Sequence, residues 1–346
     1  MHIKTLRVWI IVLTTLIVGV LLPGCRQSGC FFFTRNDEST PFTLVVLPDT
    51  QNYTDSSFGG KPEYFYGQTQ WIKENKNKLN IVMVAHLGDI VQSPKEDSNW
   101  KVADRAFRTI ENEVPYILNV GNHDQFEKTD SIPPARESLI NTYFPTTRFT
   151  KNPLYEKSFG GDKAAHYWPT DKSNNSYLFF TGGGIRFIII SLEFNPGEET
   201  MDWANQVVAS HPECQCIVVT HEYLNKKGNF NNNQAQKLWD NFVSRHENIF
   251  LLLCGHVLGE SIRIRTGVHG NPVMALLSDY QNHYIGKCGG GGYLRIMTFF
   301  PQKDTIEVKS YSPIYDNYLL GPDSRFDLRY DMKGCTGNDR SSSERK

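Results

Sequence analysis

The sequence predicts a mixed α/β fold, because short apolar runs typical of buried strands alternate with segments of helical periodicity. The chain has 346 residues, of which 39% are hydrophobic and 12% aromatic, enough for a large buried core. Its 36 Lys and Arg nearly balance 37 Asp and Glu, and no basic stripe suggests nucleic acid as a partner.

The N-terminus predicts a secretory signal over residues 1–25. Basic residues precede an apolar run, residues 8–22, and Leu22-Pro23-Gly24-Cys25 follows it. This run is shorter than the ~20 residues of a membrane-spanning helix, although an uncleaved anchor helix is the alternative. The cleavage box resembles that of bacterial lipoproteins, in which Cys25 would carry the lipid. We therefore expect the folded part at the cell envelope, lipid-anchored to the membrane or else secreted.

One domain, residues 42–333, is the simplest organisation of the remaining chain. Residues 26–41 are mostly polar and predict a linker, whereas residues 334–346 are polar and serine-rich and predict a disordered tail. The six cysteines other than Cys25 would permit disulfides in an oxidising compartment.

The first half of this domain predicts three strands and a helix. The strands cover residues 44–47, 81–87 and 116–120. Apolar residues recur at helical spacing over residues 97–114, and Asp97 supplies an N-cap.

The second half predicts more strands than helices. Two strands are joined through Gly182, Gly183 and Gly184, and two helix–strand pairs follow. The pairs cover residues 198–210 with 217–220 and residues 233–245 with 249–254. The C-terminal part predicts β-hairpins, with a turn near Lys303-Asp304.

Polar side chains directly follow five of the predicted strands. In chain order they are Asp49, Gly88-Asp89, Gly121-Asn122-His123-Asp124, His221-Glu222 and Gly255-His256. One such residue alone is typical of a turn or a helix cap. Five together predict a shared site, because the ligand crevice of an α/β sheet lies beyond the carboxyl ends of its strands. Carboxylates and imidazoles crowded there need a cation between them.

These motifs resemble those of the calcineurin-like metallophosphoesterases in order and spacing, from about residue 44 to 258. Gly121-Asn122-His123-Asp124 is the most specific of them, and residues 276–281, LLSDYQ, resemble bacterial members that carry Asp-x-Gln at the first motif. The resemblance implies a four-layer α-β-β-α sandwich with mixed sheets and a dinuclear metal centre between them.

The resemblance also implies a role for each matching side chain. Asp89 would bridge two divalent metal ions of the Mn, Fe, Zn or Mg class. The other implied ligands are Asp49 and Gln51 on the first metal and Asn122, His221 and His256 on the second.

The implied catalytic residues are His123 and Asp124. His123 would protonate the leaving group or stabilise the phosphoryl oxygens, and Asp124 would orient and polarise the His123 imidazole. The implied reaction is hydrolysis of a phosphate monoester or diester by metal-activated water.

Two positions depart from the family pattern, because Gln51 and Leu258 stand where histidine is usual. Both changes affect the first metal, whose ligands would all be oxygens and would be short by one. We therefore expect a harder, more weakly bound first metal, such as Mg²⁺, Mn²⁺ or Ca²⁺. Asp279 and Gln281, or else His283, are candidates for compensation, with an ordinary polar turn as the alternative.

Three functions remain open at this point. The first is a metal-dependent phosphoesterase at the cell envelope, acting on a phosphoester of unknown identity. The second is a catalytically impaired family member that binds a phosphorylated ligand, which the Gln51 and Leu258 changes suggest. The third is an envelope interaction lipoprotein that uses the fold as a scaffold. His123 and Asp124 favour the enzyme, because a binding protein needs no proton donor.

Overall fold

The structure is a computed structural model that describes residues 40–128, 135–155, 165–281 and 288–332. The predicted signal with Cys25, most of the predicted linker, His283 and the predicted tail lie outside the described residues. Three of the cysteines, Cys214, Cys216 and Cys254, are buried free thiols. Within the described part of the chain, no helix combines the length and apolar character needed to cross a membrane.

Strands and helices alternate along the chain, as the sequence predicts. The strands are β1 (Phe42–Leu47), β2 (Ile81–His86), β3 (Tyr116–Ile117), β4 (Phe126–Lys128), β5 (Ala135–Glu137), β6 (Ala165–Trp168), β7 (Asn175–Gly182), β8 (Ile185–Leu192), β9 (Gln215–Thr220), β10 (Ile249–Cys254), β11 (Gly259–Thr266), β12 (Pro272–Asp279), β13 (Leu294–Phe300), β14 (Thr305–Ser312), β15 (Asn317–Tyr318) and β16 (Arg325–Arg329). The helices are α1 (Gln51–Asp55), α2 (Pro62–Asn75), α3 (Asp97–Arg108), α4 (Ile140–Tyr143), α5 (Thr146–Thr150), α6 (Glu198–Ala209) and α7 (Asn233–Asn241).

Two seven-stranded mixed sheets form the centre of the fold. The first has the order β15-β14-β13-β1-β2-β3, with β16 also paired to β14, and the second has the order β11-β12-β10-β9-β8-β7-β6. Strands β1, β2 and β3 are parallel to one another, as are β8, β9, β10 and β12. The carboxyl ends of these parallel strands therefore open at one edge of each sheet.

The sheets pack face to face and each carries helices on its outer face. Phe187 of the second sheet contacts Phe42 and Phe299 of the first, with ring centroids 5.5 and 6.0 Å apart. Phe65 of α2 packs within the larger core, and Leu238 of α7 packs in a second core with α6 and the second sheet. The predicted four-layer α-β-β-α arrangement is confirmed.

Most predicted elements are present, and the differences are local. Helix α3 ends at Arg108 instead of residue 114, and β3 pairs with β2 over only Tyr116 and Ile117. The elements that were not predicted are the helices α1, α2, α4 and α5 and the short strands β4, β5, β6, β15 and β16. Pro62 at the first turn of α2 is a start signal for that helix.

A buried ion pair joins the two sheets. Arg295 of β13 is fully buried and donates to Glu260 Oε1 of β11 at 2.7 Å and to the Leu277 carbonyl of β12 at 3.3 Å. Glu260 Oε1 also accepts from Tyr280 (2.7 Å) and Ser310 (2.5 Å). This network satisfies the buried carboxylate and connects the segments on either side of it.

We expect Arg295→Met to lower the free energy of unfolding by about 3–5 kcal/mol, because it leaves the Glu260 charge buried without its partner. The measurement is urea-induced unfolding followed by circular dichroism. The matched control is Lys309→Met, whose partner Glu307 is partly exposed, with an expected cost of ~0–1 kcal/mol. Equal costs for the two variants would contradict the role given to Arg295.

Candidate metal centre

The five strand ends converge in the structure as predicted. Asp49, Asp89 and Asn122 follow β1, β2 and β3 of the first sheet, and His221 and His256 follow β9 and β10 of the second. His221 Nε2 lies 3.0 Å from Asn122 Oδ1 and 3.2 Å from Asp89 Oδ1. His256 Nδ1 lies 2.9 Å from Asn122 Oδ1 and 3.2 Å from His221 Nε2. The ligand atoms of Asp89, His221 and His256 all lie within 4.8 Å of one another, and Asn122 Oδ1 is beside both imidazoles, so one cation could contact all four side chains.

The two imidazoles present defined nitrogens to this point. His221 Nδ1 lies 2.9 Å from the Leu87 carbonyl, which can only accept, so Nδ1 carries the proton and Nε2 is directed to the cluster. His256 Nε2 lies 3.6 Å from Glu222 Oε1, which leaves Nδ1 facing the cluster. A hydrogen bond such as that of His221 to the Leu87 carbonyl fixes the ring orientation of a metal-binding histidine.

The predicted first-metal residues lie on the other side of Asp89. Gln51 Nε2 donates to Asp89 Oδ2 at 3.0 Å and to Gln281 Oε1 at 2.7 Å. Asp49 Oδ2 and Gln51 Oε1 are buried and have no hydrogen-bond partner among the described residues. A flip of the Gln51 amide would bring its oxygen beside those of Asp89 and Gln281. The orphaned oxygens and the acidic donor set fit a hard divalent cation here.

Asp279 and Gln281 lie within this site. Asp279 is fully buried, and its two oxygens accept from the Gln281 backbone N–H and side-chain amide, both at 2.9 Å. Because Gln281 also accepts from Gln51, the segment is both a polar turn and a neighbour of the first-metal residues.

Burial and the charges of the neighbouring side chains together determine the electrostatics of the centre. Burial raises the pKa of Asp49 well above its usual range, and the charges of Asp279 and Asp89 raise it further. Burial likewise raises the pKa of Asp279 to about 6. Burial alone would lower the pKa of His221, but Asp89 and Asp49 raise it to about 10. The cluster therefore favours positive charge at its centre, which a metal supplies by displacing a proton.

The predicted contact between Asp124 and the His123 imidazole is wrong. Asp124 Oδ1 and Oδ2 accept from the backbone N–H groups of Val91 (3.0 Å) and Gly121 (2.8 Å). The His123 ring is held instead by the Gln92 carbonyl, 3.0 Å from Nδ1. Asp124 thus fixes the turn that carries Asn122 and His123, since its short side chain reaches back to the start of the turn.

His86 is a site-positioning residue that the sequence interpretation missed. Its Nδ1 accepts from the Gly88 N–H at 3.1 Å, and its Nε2 lies 3.0 Å from Thr50 Oγ1, which donates to the Ile90 carbonyl. Burial lowers the pKa of His86 to about 3, so the ring is neutral and can accept at Nδ1. The signal was a histidine closing an apolar strand just before Gly88-Asp89.

The backbone of the centre leaves no room for side chains at two glycines. A Cβ on Gly121 would lie 2.2 Å from Asp89 Oδ1, and a Cβ on Gly255 would lie 2.1 Å from Asp49 Oδ2. Asp49, Asp89 and His256 have positive φ values of 34°, 51° and 69°. Close backbone approach and left-handed residues therefore bring the carboxylates into position.

A sequence comparison decides the family. The profile of the calcineurin-like phosphoesterases matches residues 42–260, which include all five strand ends. The chain belongs to the calcineurin-like phosphoesterase family. Asp279 and Gln281 lie beyond the matched region.

Individual proteins and solved structures are also similar to this chain. The chain is 32% identical over 306 residues to the protein YvnB of Bacillus subtilis (strain 168), a match over 84% of this chain that spans only 22% of the length of that relative. Among solved structures, purple acid phosphatase PPD1 from yellow lupin (Lupinus luteus) seeds superposes with a TM-score of 0.50 at 14% identity, over 85% of this chain and 54% of that one. GAP50, the anchor in the inner membrane complex of Plasmodium, has a TM-score of 0.46 at 9% identity, over 85% and 89% of the two chains.

We expect Gln51→His to shift the metal preference of the first position from Mn²⁺ towards Zn²⁺, because an imidazole replaces an amide in an oxygen-rich set. The measurement is competition between the two metals, read by metal analysis of the purified chain. The control is Gln236→His on the exposed side of α7, where the side chain donates to Asp240. An unchanged preference in Gln51→His would show that Gln51 is not a ligand.

Proposed function

We propose that the chain is a metal-dependent hydrolase of phosphate monoesters or diesters. The observation that carries this proposal is the cluster formed by Asp89 Oδ1, Asn122 Oδ1, His221 Nε2 and His256 Nδ1. His221 Nε2 lies 3.0–3.2 Å from the other three atoms, and His256 Nδ1 lies 2.9 Å from Asn122 Oδ1. Membership of the calcineurin-like phosphoesterases supports the reaction class.

The side chains divide into two sets around Asp89. Asn122, His221 and His256 would hold one divalent cation, and Asp49 and Gln51 would help to hold the other. When bound, the two cations supply an acidified water molecule at neutral pH and neutralise charge on the phosphoryl oxygens.

His123 is the candidate proton donor for the leaving group. Its backbone N–H donates to Asp89 Oδ1 at 2.8 Å, which places the side chain beside the cluster. Since the Gln92 carbonyl accepts from Nδ1, the other ring nitrogen, Nε2, remains to exchange a proton. The half-buried ring is within reach of a substrate, and proton donation to the departing oxygen lowers the barrier for poor leaving groups.

The chain should hydrolyse 4-nitrophenyl phosphate or its diester with Mn²⁺, Mg²⁺ or Zn²⁺ and lose activity with a chelator. We expect His123→Ala to lower kcat about 10²–10⁴-fold for an alkyl phosphate and less for the nitrophenyl ester, whose leaving group needs no proton. The measurement is steady-state turnover of both substrates.

The control is His269→Ala, in the exposed turn after β11, which should leave both rates unchanged. Equal losses with both substrates would exclude His123 as the proton donor. Binding of a phosphorylated ligand without turnover by the unsubstituted chain, under any of the three metals, would favour the catalytically impaired alternative.

We also propose that the enzyme works at the cell envelope, anchored through a lipid on Cys25. The support is the sequence alone: a basic start, a short apolar run and the Leu22-Pro23-Gly24-Cys25 box.

We expect Cys25→Ala to move the chain out of the membrane fraction of expressing bacteria, because the lipid attachment site is lost. The measurement is cell fractionation with incorporation of labelled fatty acid, and Cys30→Ala is the control. Unchanged labelling in Cys25→Ala would exclude Cys25 as the lipid attachment site, and membrane association of the unsubstituted chain without any labelling would favour an anchor helix.

A further inference from the structure

A sixth strand end brings a carboxylate to the candidate metal centre. Strand β12 runs parallel to β10, with Leu277 opposite Cys254, so both carboxyl ends open at the same edge. Asp279 is the last residue of β12, and its exposed fraction is 0%. The side chain thus lies buried near the segment that carries His256.

The strand register places this carboxylate next to a departure from the family pattern. Strands β11 and β12 are antiparallel, with Asp279 opposite Gly259. Gly259 directly follows Leu258, where an imidazole is usual in the family. Since opposed residues have Cα atoms about 5 Å apart, Asp279 reaches the region that this imidazole would occupy.

An unbroken series of hydrogen bonds connects Asp279 to the metal-bridging candidate. Asp279 Oδ2 accepts from Gln281 Nε2 at 2.9 Å, and Gln281 Oε1 accepts from Gln51 Nε2 at 2.7 Å. Gln51 Nε2 also donates to Asp89 Oδ2 at 3.0 Å. Each of the four side chains is therefore hydrogen-bonded to the next, and Gln281 lies between the Asp279 carboxylate and the Gln51 amide.

Asp279 retains capacity for a further partner. Each of its oxygens accepts one hydrogen bond from Gln281, whereas a carboxylate offers about four acceptor positions. Among the described residues Asp279 forms no salt bridge, and an uncompensated buried carboxylate is costly. Carboxylates that bind metals are themselves hydrogen-bonded, as this one is.

We propose that Asp279 is a ligand of the first divalent cation, in place of the imidazole absent at Leu258, and that Gln281 positions the Asp279 carboxylate through its backbone N–H and side-chain amide. The inference rests on the proposed function for the presence of this cation.

The first position then has a full set of oxygen ligands, instead of one that is short by one. Its members are Asp49, Gln51, Asp89 and Asp279. Such a set suits Mn²⁺ or Mg²⁺ better than Zn²⁺, whereas the two imidazoles of the second position suit Zn²⁺, Fe or Mn²⁺.

The test is Mn²⁺ titration of the purified chain and of Asp279→Asn, by calorimetry and low-temperature electron paramagnetic resonance. Asparagine keeps the size and the turn-forming oxygen of Asp279 but removes its charge. We expect the unsubstituted chain to bind two Mn²⁺ with an exchange-coupled signal. Asp279→Asn should bind the first Mn²⁺ about 100-fold more weakly or not at all, and show the signal of an isolated ion.

A control variant and a rescue variant distinguish the loss of a metal ligand from a general disturbance of the fold. Asp316→Asn changes an exposed carboxylate that accepts from Tyr311, and it should retain both ions. Adding Leu258→His to Asp279→Asn should restore the second equivalent, because it returns the family's usual ligand to the same position.

The outcomes distinguish this inference from the proposed function. Two Mn²⁺ bound with unchanged affinity in Asp279→Asn would overturn the inference and leave the proposed function intact. Absence of metal binding by the unsubstituted chain would overturn both.

Should Asp279→Asn fail to fold, Gln281→Met tests the same arrangement. It keeps the side-chain length and removes the side-chain hydrogen bonds to Asp279 Oδ2 and Gln51, whereas the backbone N–H of residue 281 can still donate to Asp279 Oδ1. We expect the first Mn²⁺ to bind about 10–100-fold more weakly and the second to be unaffected. Unchanged affinity for both ions would overturn the role given to Gln281 and, with it, the proposed arrangement.

Discussion

Buried negative charge is the constraint on which the rest of this structure depends. Asp49, Asp89 and Asp279 are buried at one edge of the two sheets, where burial and the charge of Asp89 raise the pKa of both Asp49 and Asp279. Backbone N–H groups, amides and imidazoles around the cluster offset part of the free-energy cost of ionising these carboxylates. His123 and His256 each direct a backbone N–H to one of these carboxylates. These groups of the fold compensate part of the buried negative charge, and a bound cation would compensate the rest.

Such a cluster needs a scaffold in which the strand ends cannot drift apart. The Arg295–Glu260 pair joins β13 to β11, the strand that follows His256 in the chain. Tyr280 belongs to the same network and is adjacent in sequence to Asp279. On the opposite side, Asn119 donates to Ser191 Oγ and to the Leu192 carbonyl, which ties the end of β3 to the end of β8. Polar cross-links between the sheets thus lie beside the centre and complement the aromatic packing deeper in the core.

The sequence predicted the features that follow from where each strand ends. It did not predict the features that follow from how turns fold or how strands pair. Apolar runs locate strands, and the residue after a run lies at the strand end, so Asp49, Asp89 and His221 could be predicted. The partner of Asp124 could not, because a three-residue turn decides which backbone groups its carboxylate meets. The position of Asp279 depends on the pairing of β11 with β12, which a one-residue shift would reverse. Helix α2 was not predicted because its apolar residues recur at helical spacing only weakly.

The positive φ angles at Asp49, Asp89 and His256 bear on how such a site persists through evolution. A non-glycine residue in this conformation costs about 1–2 kcal/mol, and the cost is borne by the folded chain whether or not it performs any chemistry. Without selection for activity, mutation to glycine would relieve strain at all three positions and would also remove buried charge at the two aspartates. Genetic drift should therefore remove the centre readily, because each such substitution would increase the stability of the fold. A lineage that keeps two aspartates and a histidine in left-handed backbone is held there by what the side chains do.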